Sequence, residues 1–127
     1  MTDYVTTVEA LAIHADQIER YGGLAGVRDQ GLLEAPLFRP QTGYYPSLIE
    51  EAAALWESLS QNHPFVDGNK RTAFAITYTF LAINGARITA SASESETFLV
   101  NLYETGAFDF VRLGRWLRDN VAYDASE

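Results

Sequence analysis

The chain has 127 residues, 47% of them hydrophobic and 20% charged, with 17 acidic side chains against nine basic ones, two histidines, no cysteine and a formal net charge of −8. This is the composition of one ordinary globular domain. It excludes a disulfide framework and a thiolate metal site, its acidity argues against a broad nucleic-acid footprint, and no apolar run approaches the ~20 residues that span a bilayer.

The start Met1-Thr2-Asp3-Tyr4 lacks the basic opening of a signal peptide, so a cytoplasmic protein is expected. From Thr7 to about Arg20, Val8, Leu11, Ala15 and Ile18 recur at helical spacing behind a cap at Thr6 or Thr7. His14 falls inside this helix and reads as a packed or hydrogen-bonded structural residue, because no second histidine stands at ligand spacing. Gly22-Gly23 ends the helix, and Leu24 to Arg28 form a loop. Asp29 caps a short second helix with Leu32, Leu33 and Leu37 inward, closing before Pro40. Pro36 must kink or restart it, since interior proline costs about 3 kcal/mol. Gln41 to Pro46, with Gly43, Tyr44 and Tyr45, does not continue a helix. Ser47 and Glu50 have the spacing of a capping box. Behind them Leu48, Ala52, Leu55 and Leu59 line one helical face, with Ile49, Ala53 and Trp56 beside it, Trp56 reading as core.

A second apolar helix runs from Lys70 to about Ile83 and is apolar almost all round, which predicts a central helix enclosed by others. Asn84-Gly85 is its left-handed stop. Arg87-Ile88-Thr89 alternates and predicts a short extended segment; Ser93 to Glu96 reads as a capping box opening a helix that carries Phe98, Leu99, Leu102 and Tyr103 and stops at Gly106. Asp109 caps a last helix to about Asn120, with Phe110, Leu113 and Leu117 inward. Its Arg112, Arg115 and Arg118 form a basic stripe that balances charge at the helix C-terminus. Val121 to Glu127 reads as a frayed tail. The expected architecture is a single all-α domain over residues 1–127, about six helices around a central buried one, with at most a small β-hairpin.

The stretch joining the two apolar helices, His63-Pro64-Phe65-Val66-Asp67-Gly68-Asn69-Lys70-Arg71, holds one of the two histidines and the only lysine. Pro64 and Gly68 mark a loop, and Asn69 is the expected N-cap of the helix that follows. A helix N-terminus carries about half a positive charge and favours acids, each worth about 0.3–1 kcal/mol, yet Lys70 and Arg71 fall in this first turn. Two cations at an already positive helix tip point to an anion such as a phosphate. Asp67 suits a hard cation such as Mg2+, which is commonly held by one or two carboxylates plus substrate phosphates. An imidazole at His63 suits removal of a proton from an attacking hydroxyl. Singly, a His-Pro is a helix stop, a Gly-Asn a turn and a Lys-Arg a solvated surface; it is the combination that points to chemistry.

The nine positions His63 to Arg71 resemble the core motif of the Fic/Doc (Fido) superfamily, His-Pro-Phe, any residue, Asp or Glu, Gly-Asn, Gly or Lys, Arg. Ile18 to Gly23, Arg28 to Glu34 and Arg39-Pro40-Gln41 resemble the death-on-curing (Doc) branch. The resemblance implies His63 as the base, Asp67 as the Mg2+ ligand, and Gly68, Asn69, Lys70 and Arg71 as the phosphate-binding group, with ATP as the nucleotide. It also implies that the segment with Gly43, Tyr44 and Tyr45 forms a flap aligning the target peptide by strand-like pairing, against the alternative of a plain surface turn. AMP-transferring members have Gly where this chain has Lys70 and a second arginine where it has Phe74. Both departures are shared with the Doc branch, which binds the nucleotide reversed and transfers the terminal phosphate. The implied protein is a toxin that phosphorylates a protein hydroxyl, on elongation factor Tu, and arrests translation; AMP transfer and an inactive binding protein are the alternatives. The chain has no Ser/Thr, three residues, Glu, Gly/Asn self-inhibiting element, so a separate, small and partly disordered antitoxin is expected to supply a helix for a groove here. Neither nucleic acid nor membrane is an expected partner.

Overall fold

The computed structural model describes residues 1–124. Six helices, α1 (Thr7–Tyr21), α2 (Gln30–Phe38), α3 (Leu48–Asn62), α4 (Asn69–Ile83), α5 (Ala92–Thr105) and α6 (Phe110–Asn120), are joined by a 3-10 turn (Arg39–Thr42) and two short strands, β1 (Ala86–Ile88) and β2 (Val121–Tyr123). The expected all-α architecture is present. None of these helices is long and apolar enough to cross a membrane.

The helix that the others enclose is α3, not the expected α4. Nine of its residues are buried, and it packs on α2, α4 and α6. The run Ala52-Ala53-Ala54 is the reason, since small side chains let neighbouring backbones close in from several sides. On α4 the apolar surface is divided. Ile76, Phe80 and Leu81 are buried, whereas Tyr78 and Ile83 stay exposed. Trp56 of α3 is fully buried, with Phe74, Phe98, Phe108 and Trp116 around its ring at centroid distances of 5.5, 6.4, 6.0 and 5.8 Å.

Local signals set most helix ends. Thr6 and Glu9 form a reciprocal capping box at α1. The box of α5 is Ser91 with Glu94, two residues ahead of the expected Ser93, and Ser47 accepts from the Glu50 N–H without the reciprocal bond. The inner face of α1 is also displaced from expectation: Ala10 and His14 are buried while Val8 is 76% exposed. A buried polar side chain in that face misled a reading based on hydropathy alone. Pro36 does not restart α2, which runs through it from Gln30 to Phe38. Proline cannot donate to the carbonyl four residues back, and that carbonyl, on Leu32, instead accepts from Asn62 Nδ2 at 3.1 Å.

Strand β1 pairs antiparallel with β2, Ala86 opposite Tyr123 and Ile88 opposite Val121. Residues 121–123 are therefore not the expected frayed tail, and residues 125–127 lie outside the described part. The two strands come from chain segments separated by α5 and α6, so the small sheet lies far along the chain from residues 43–46, where a flap hairpin was expected.

Candidate active site

His63 is the C-cap of α3, with φ 48° and ψ 60°, and is the only non-glycine residue at positive φ among the described residues. Such a conformation costs on the order of 1–3 kcal/mol and persists where surrounding bonds over-determine it. Arg28 supplies them. Its Nε donates to the His63 carbonyl at 2.9 Å and its Nη2 to the Asn62 carbonyl at 2.8 Å. The Pro64 carbonyl accepts from the N–H groups of Arg28 and Asp29 at 2.7 and 3.2 Å. The His63 side chain is left exposed at this fixed corner.

Beyond Pro64 the loop is fastened at each step. Val66 N–H donates to the Gly26 carbonyl at 3.0 Å, and Phe65 forms an isolated antiparallel bridge with Val27. Phe65 is buried, its ring stacked on that of His14 at 3.9 Å between centroids and 4° between planes. His14 Nε2 lies 2.9 Å from the Asp67 carbonyl. A carbonyl can only accept, so this nitrogen carries the proton. His14 is thus structural, as expected, and it bears directly on the motif from 53 positions away.

Asn69 is not the N-cap. Its Oδ1 accepts from Phe65 N–H and its Nδ2 donates to the Phe65 carbonyl, both at 2.9 Å, so its amide closes the loop. The cap of α4 falls to Gly68, at φ 72° and with no side chain to offer. No acid stands in the first turn of α4. The orphan N–H groups there stay open to an anion.

Asp67 is exposed, its Oδ1 accepting from Gly68 N–H at 2.9 Å and its Oδ2 from Leu24 N–H at 3.1 Å. The Leu24 and Gly68 N–H groups, helped by the charge of Arg71 and against a small opposing effect of burial, hold its carboxyl below the ordinary 3.8. Lys70 Nζ lies 4.3 Å from the centre of the Tyr103 ring, and Tyr103 in turn reaches Ser60 Oγ at 3.2 Å. Arg71 Nη2 donates to the Gly22 carbonyl at 2.9 Å, with its guanidinium 5.3 Å from the Tyr21 ring. Neither cation takes part in an ion pair among the described residues. Beneath them the Thr72 hydroxyl is buried without a partner.

The residues fit a magnesium nucleotide better than a free-standing metal. No cluster of three or more His, Cys, Asp or Glu capable of holding a metal occurs among the described residues. One exposed carboxylate beside an uncapped helix tip with two unpaired cations leaves the remaining ligands to phosphate and water.

Two further features adjoin or flank this cluster. A cavity of about 1120 Å3 opens between α1, α4 and α5, lined by Ile13, Phe74, Tyr78 and Leu99 together with Lys70 and Arg71, but not by His63 or Asp67. It is a groove that includes Lys70 and Arg71 and leaves out His63. Gly43 closes the 3-10 turn at φ 81°, and Tyr44 is 81% exposed. The Tyr45 hydroxyl accepts from Arg39 Nε at 2.6 Å, and its ring lies 5.6 Å from that of Phe110. Arg39 continues to Glu57, Ser58 and the Ala54 carbonyl. The contacts of this segment therefore run to the middle of α3 and the start of α6, and it contains no strand.

Sequence reasoning grouped His63, Asp67 and the α4 tip, and in the structure Asp67 lies within reach of the Arg71 charge while His63 stands exposed at the other end of the same loop. It missed Arg28, Leu24 and His14 as their supports. The only advance signal was that Arg28 and the Tyr21-Gly22-Gly23 stretch fall within the family-like segments.

A profile of the Fic/DOC family matches residues 4–81. The chain is 50% identical over 95 residues to the protein named Toxin Doc from Mycolicibacterium smegmatis, covering 71% of each chain. It is 35% identical over 89 residues to Protein kinase doc of Escherichia phage P1, covering 67% of this chain and 71% of that one. With its loop geometry, the profile match and these two relatives in agreement, the chain belongs to the Fic/DOC family.

Proposed function

We propose that this protein is the toxin of a toxin–antitoxin pair and that it transfers the terminal phosphoryl group of ATP to a hydroxyl on a protein, elongation factor Tu by resemblance, in the cytoplasm. The observation that carries the proposal is the α4 tip: Gly68 caps it without a side chain, no acid stands in its first turn, and Lys70 and Arg71 have no anionic partner among the described residues. Names borne by the relatives, a toxin and a protein kinase, support the same reading.

In this proposal Gly68, Asn69, Lys70 and Arg71 gather the phosphates and Asp67 contacts Mg2+, which when bound neutralises phosphate charge. His63, held exposed by Arg28, takes the proton of the target hydroxyl as its oxygen bonds to the terminal phosphorus. The bond from that phosphorus to the bridging oxygen breaks, and ADP leaves with the electron pair. Phe74 supports phosphoryl over AMP transfer, because it packs toward Trp56 and leaves no second cation one turn along α4. The groove between α1, α4 and α5, largely apolar and carrying the cations Lys70 and Arg71 along with the carboxylates Asp16, Glu96 and Glu104, suits an amphipathic antitoxin helix that presents both charges.

Incubation with ATP, Mg2+ and elongation factor Tu, followed by intact-mass measurement, is the test. One phosphate added per target molecule is expected. An adenylate instead assigns AMP transfer, and no addition to any protein of a cell extract leaves a binding protein with the family fold.

A further inference from the structure

The turn that ends α1 meets the motif at two of its functional side chains. Leu24 N–H holds Asp67 Oδ2, and the Gly22 carbonyl holds Arg71. Between these contacts lies Gly23, at φ 115°. A Cβ placed on Gly23 would come within 2.8 Å of Asp67 Oδ2, nearer than real Cβ atoms come to a neighbour, and within 3.1 Å of Ile18 Cδ1 and 3.2 Å of Asp67 Cγ, both tight contacts. A Cβ on the adjacent Gly22 would meet nothing within 4 Å. The two glycines thus serve different ends. Gly22 takes the positive φ, 83°, at which the helix ends, whereas Gly23 also leaves room for a carboxylate.

We infer that Gly23 is a positioning residue for Asp67: its missing side chain lets the Leu24 N–H and the Gly68 N–H hold one carboxylate oxygen each, fixing the plane in which the carboxylate meets Mg2+. This rests on the reading of Asp67 as the Mg2+ contact. With both oxygens held, the carboxylate does not swing toward the guanidinium of Arg71 or into solvent, and its remaining lone pairs keep one direction. A methyl group at position 23 displaces Oδ2 and breaks the Leu24 bond. The loss then falls on the metal, because the phosphate-binding residues of α4 are untouched. Residues that orient a metal ligand without touching the metal typically matter by about 10–100-fold in affinity.

The test compares Gly23→Ala with Gly85→Ala. Gly85 also has positive φ, at 76°, with nothing within 4 Å of a Cβ, so alanine there carries backbone strain without meeting the site. Calorimetry gives the dissociation constant of a non-hydrolysable ATP analogue with and without Mg2+. Wild type and Gly85→Ala are expected to show the same Mg2+-dependent gain in affinity. Gly23→Ala should lose about tenfold of that gain or more, with its Mg2+-free affinity unchanged. A full gain in Gly23→Ala overturns the inference. Asp67→Ala separates the two levels: if it too keeps the full gain, the reading of Asp67 has failed, and if it alone loses the gain, only the role of Gly23 has failed. Should Gly23→Ala not fold, Leu24→Pro, which removes the donor and sets the ring Cδ where the amide hydrogen met Asp67 Oδ2, carries the same expectation and the same overturning result.

Discussion

The motif loop and residues 43–47 adjoin the same helix, one after its end and one before its start, and they are fastened by opposite means. Between His63 and Asn69 the backbone is held by Arg28, Gly26, His14 and the amide of Asn69, from three separate parts of the chain. Residues 43–46 rely on one phenol bond to Arg39 and the contact of Tyr45 with Phe110, and Tyr44 stands almost free. Chemistry depends on sub-ångström placement and is lost quickly when supports loosen.

The largest effect expected from this contrast is at the base. His63→Ala should lower transfer by roughly 10²–10⁴-fold, the usual contribution of a general base, with calorimetric nucleotide affinity unchanged. A loss smaller than tenfold would mean the rigid loop is not where the proton moves. Next comes the clamp. Arg28→Ala removes donors to two carbonyls on the exposed surface, at about 1–2 kcal/mol, and should lower Tm by several degrees while the transfer rate falls. An unchanged melting curve would show that the loop does not need Arg28. Tyr45→Phe should cost about 1 kcal/mol or less and raise KM for the protein target, leaving nucleotide affinity alone. If nucleotide affinity moves as well, the two regions are coupled and the contrast is wrong.

The smallest effect is acid sensitivity. Bonds from the Thr6 and Ser91 backbone N–H groups, then from their hydroxyls, hold the Glu9 and Glu94 carboxyls below the ordinary 4.5. A depressed carboxyl stabilises the fold fully above its unfolded value and loses that contribution as the pH falls through the folded one. Tm should therefore decline below pH 4.5, and Glu9→Gln should flatten part of that decline. Acid also acts on the loop itself, because the Leu24 N–H holds the Asp67 carboxyl below its ordinary value and that bond weakens when the carboxyl is protonated. An acid limb unchanged in both Glu9→Gln and Glu94→Gln would remove the caps from this account.

What could be read in advance follows from distance along the chain. Two cations at a helix start, a glycine before them and a carboxylate beside them form a local pattern, and the structure keeps them together. The supports could not be read, because Arg28, His14 and Leu24 act from 35 to 53 positions away and through backbone atoms that every residue possesses. The exchange of α3 for α4 at the centre has a related cause. Apolar content marks both a surface enclosed by neighbours and one that lines an open groove, and Phe74 and Tyr78 contribute to the second. Asn69 was misplaced because its amide had two backbone groups of Phe65 to satisfy, which a cap does not.

The bond from Asn62 to the Leu32 carbonyl reaches beyond helix geometry. It makes positions 36 and 62 a linked pair: the imino acid in α2 creates a vacancy, and the amide filling it belongs to the immediate neighbour of His63. A variant that loses Pro36 no longer needs a donor at 62, whereas one that keeps Pro36 and changes Asn62 leaves the Leu32 carbonyl unmatched. Replacing Pro36 to improve helix propensity, an obvious choice for an engineer, would restore a competing N–H and alter the anchoring of the corner where His63 stands.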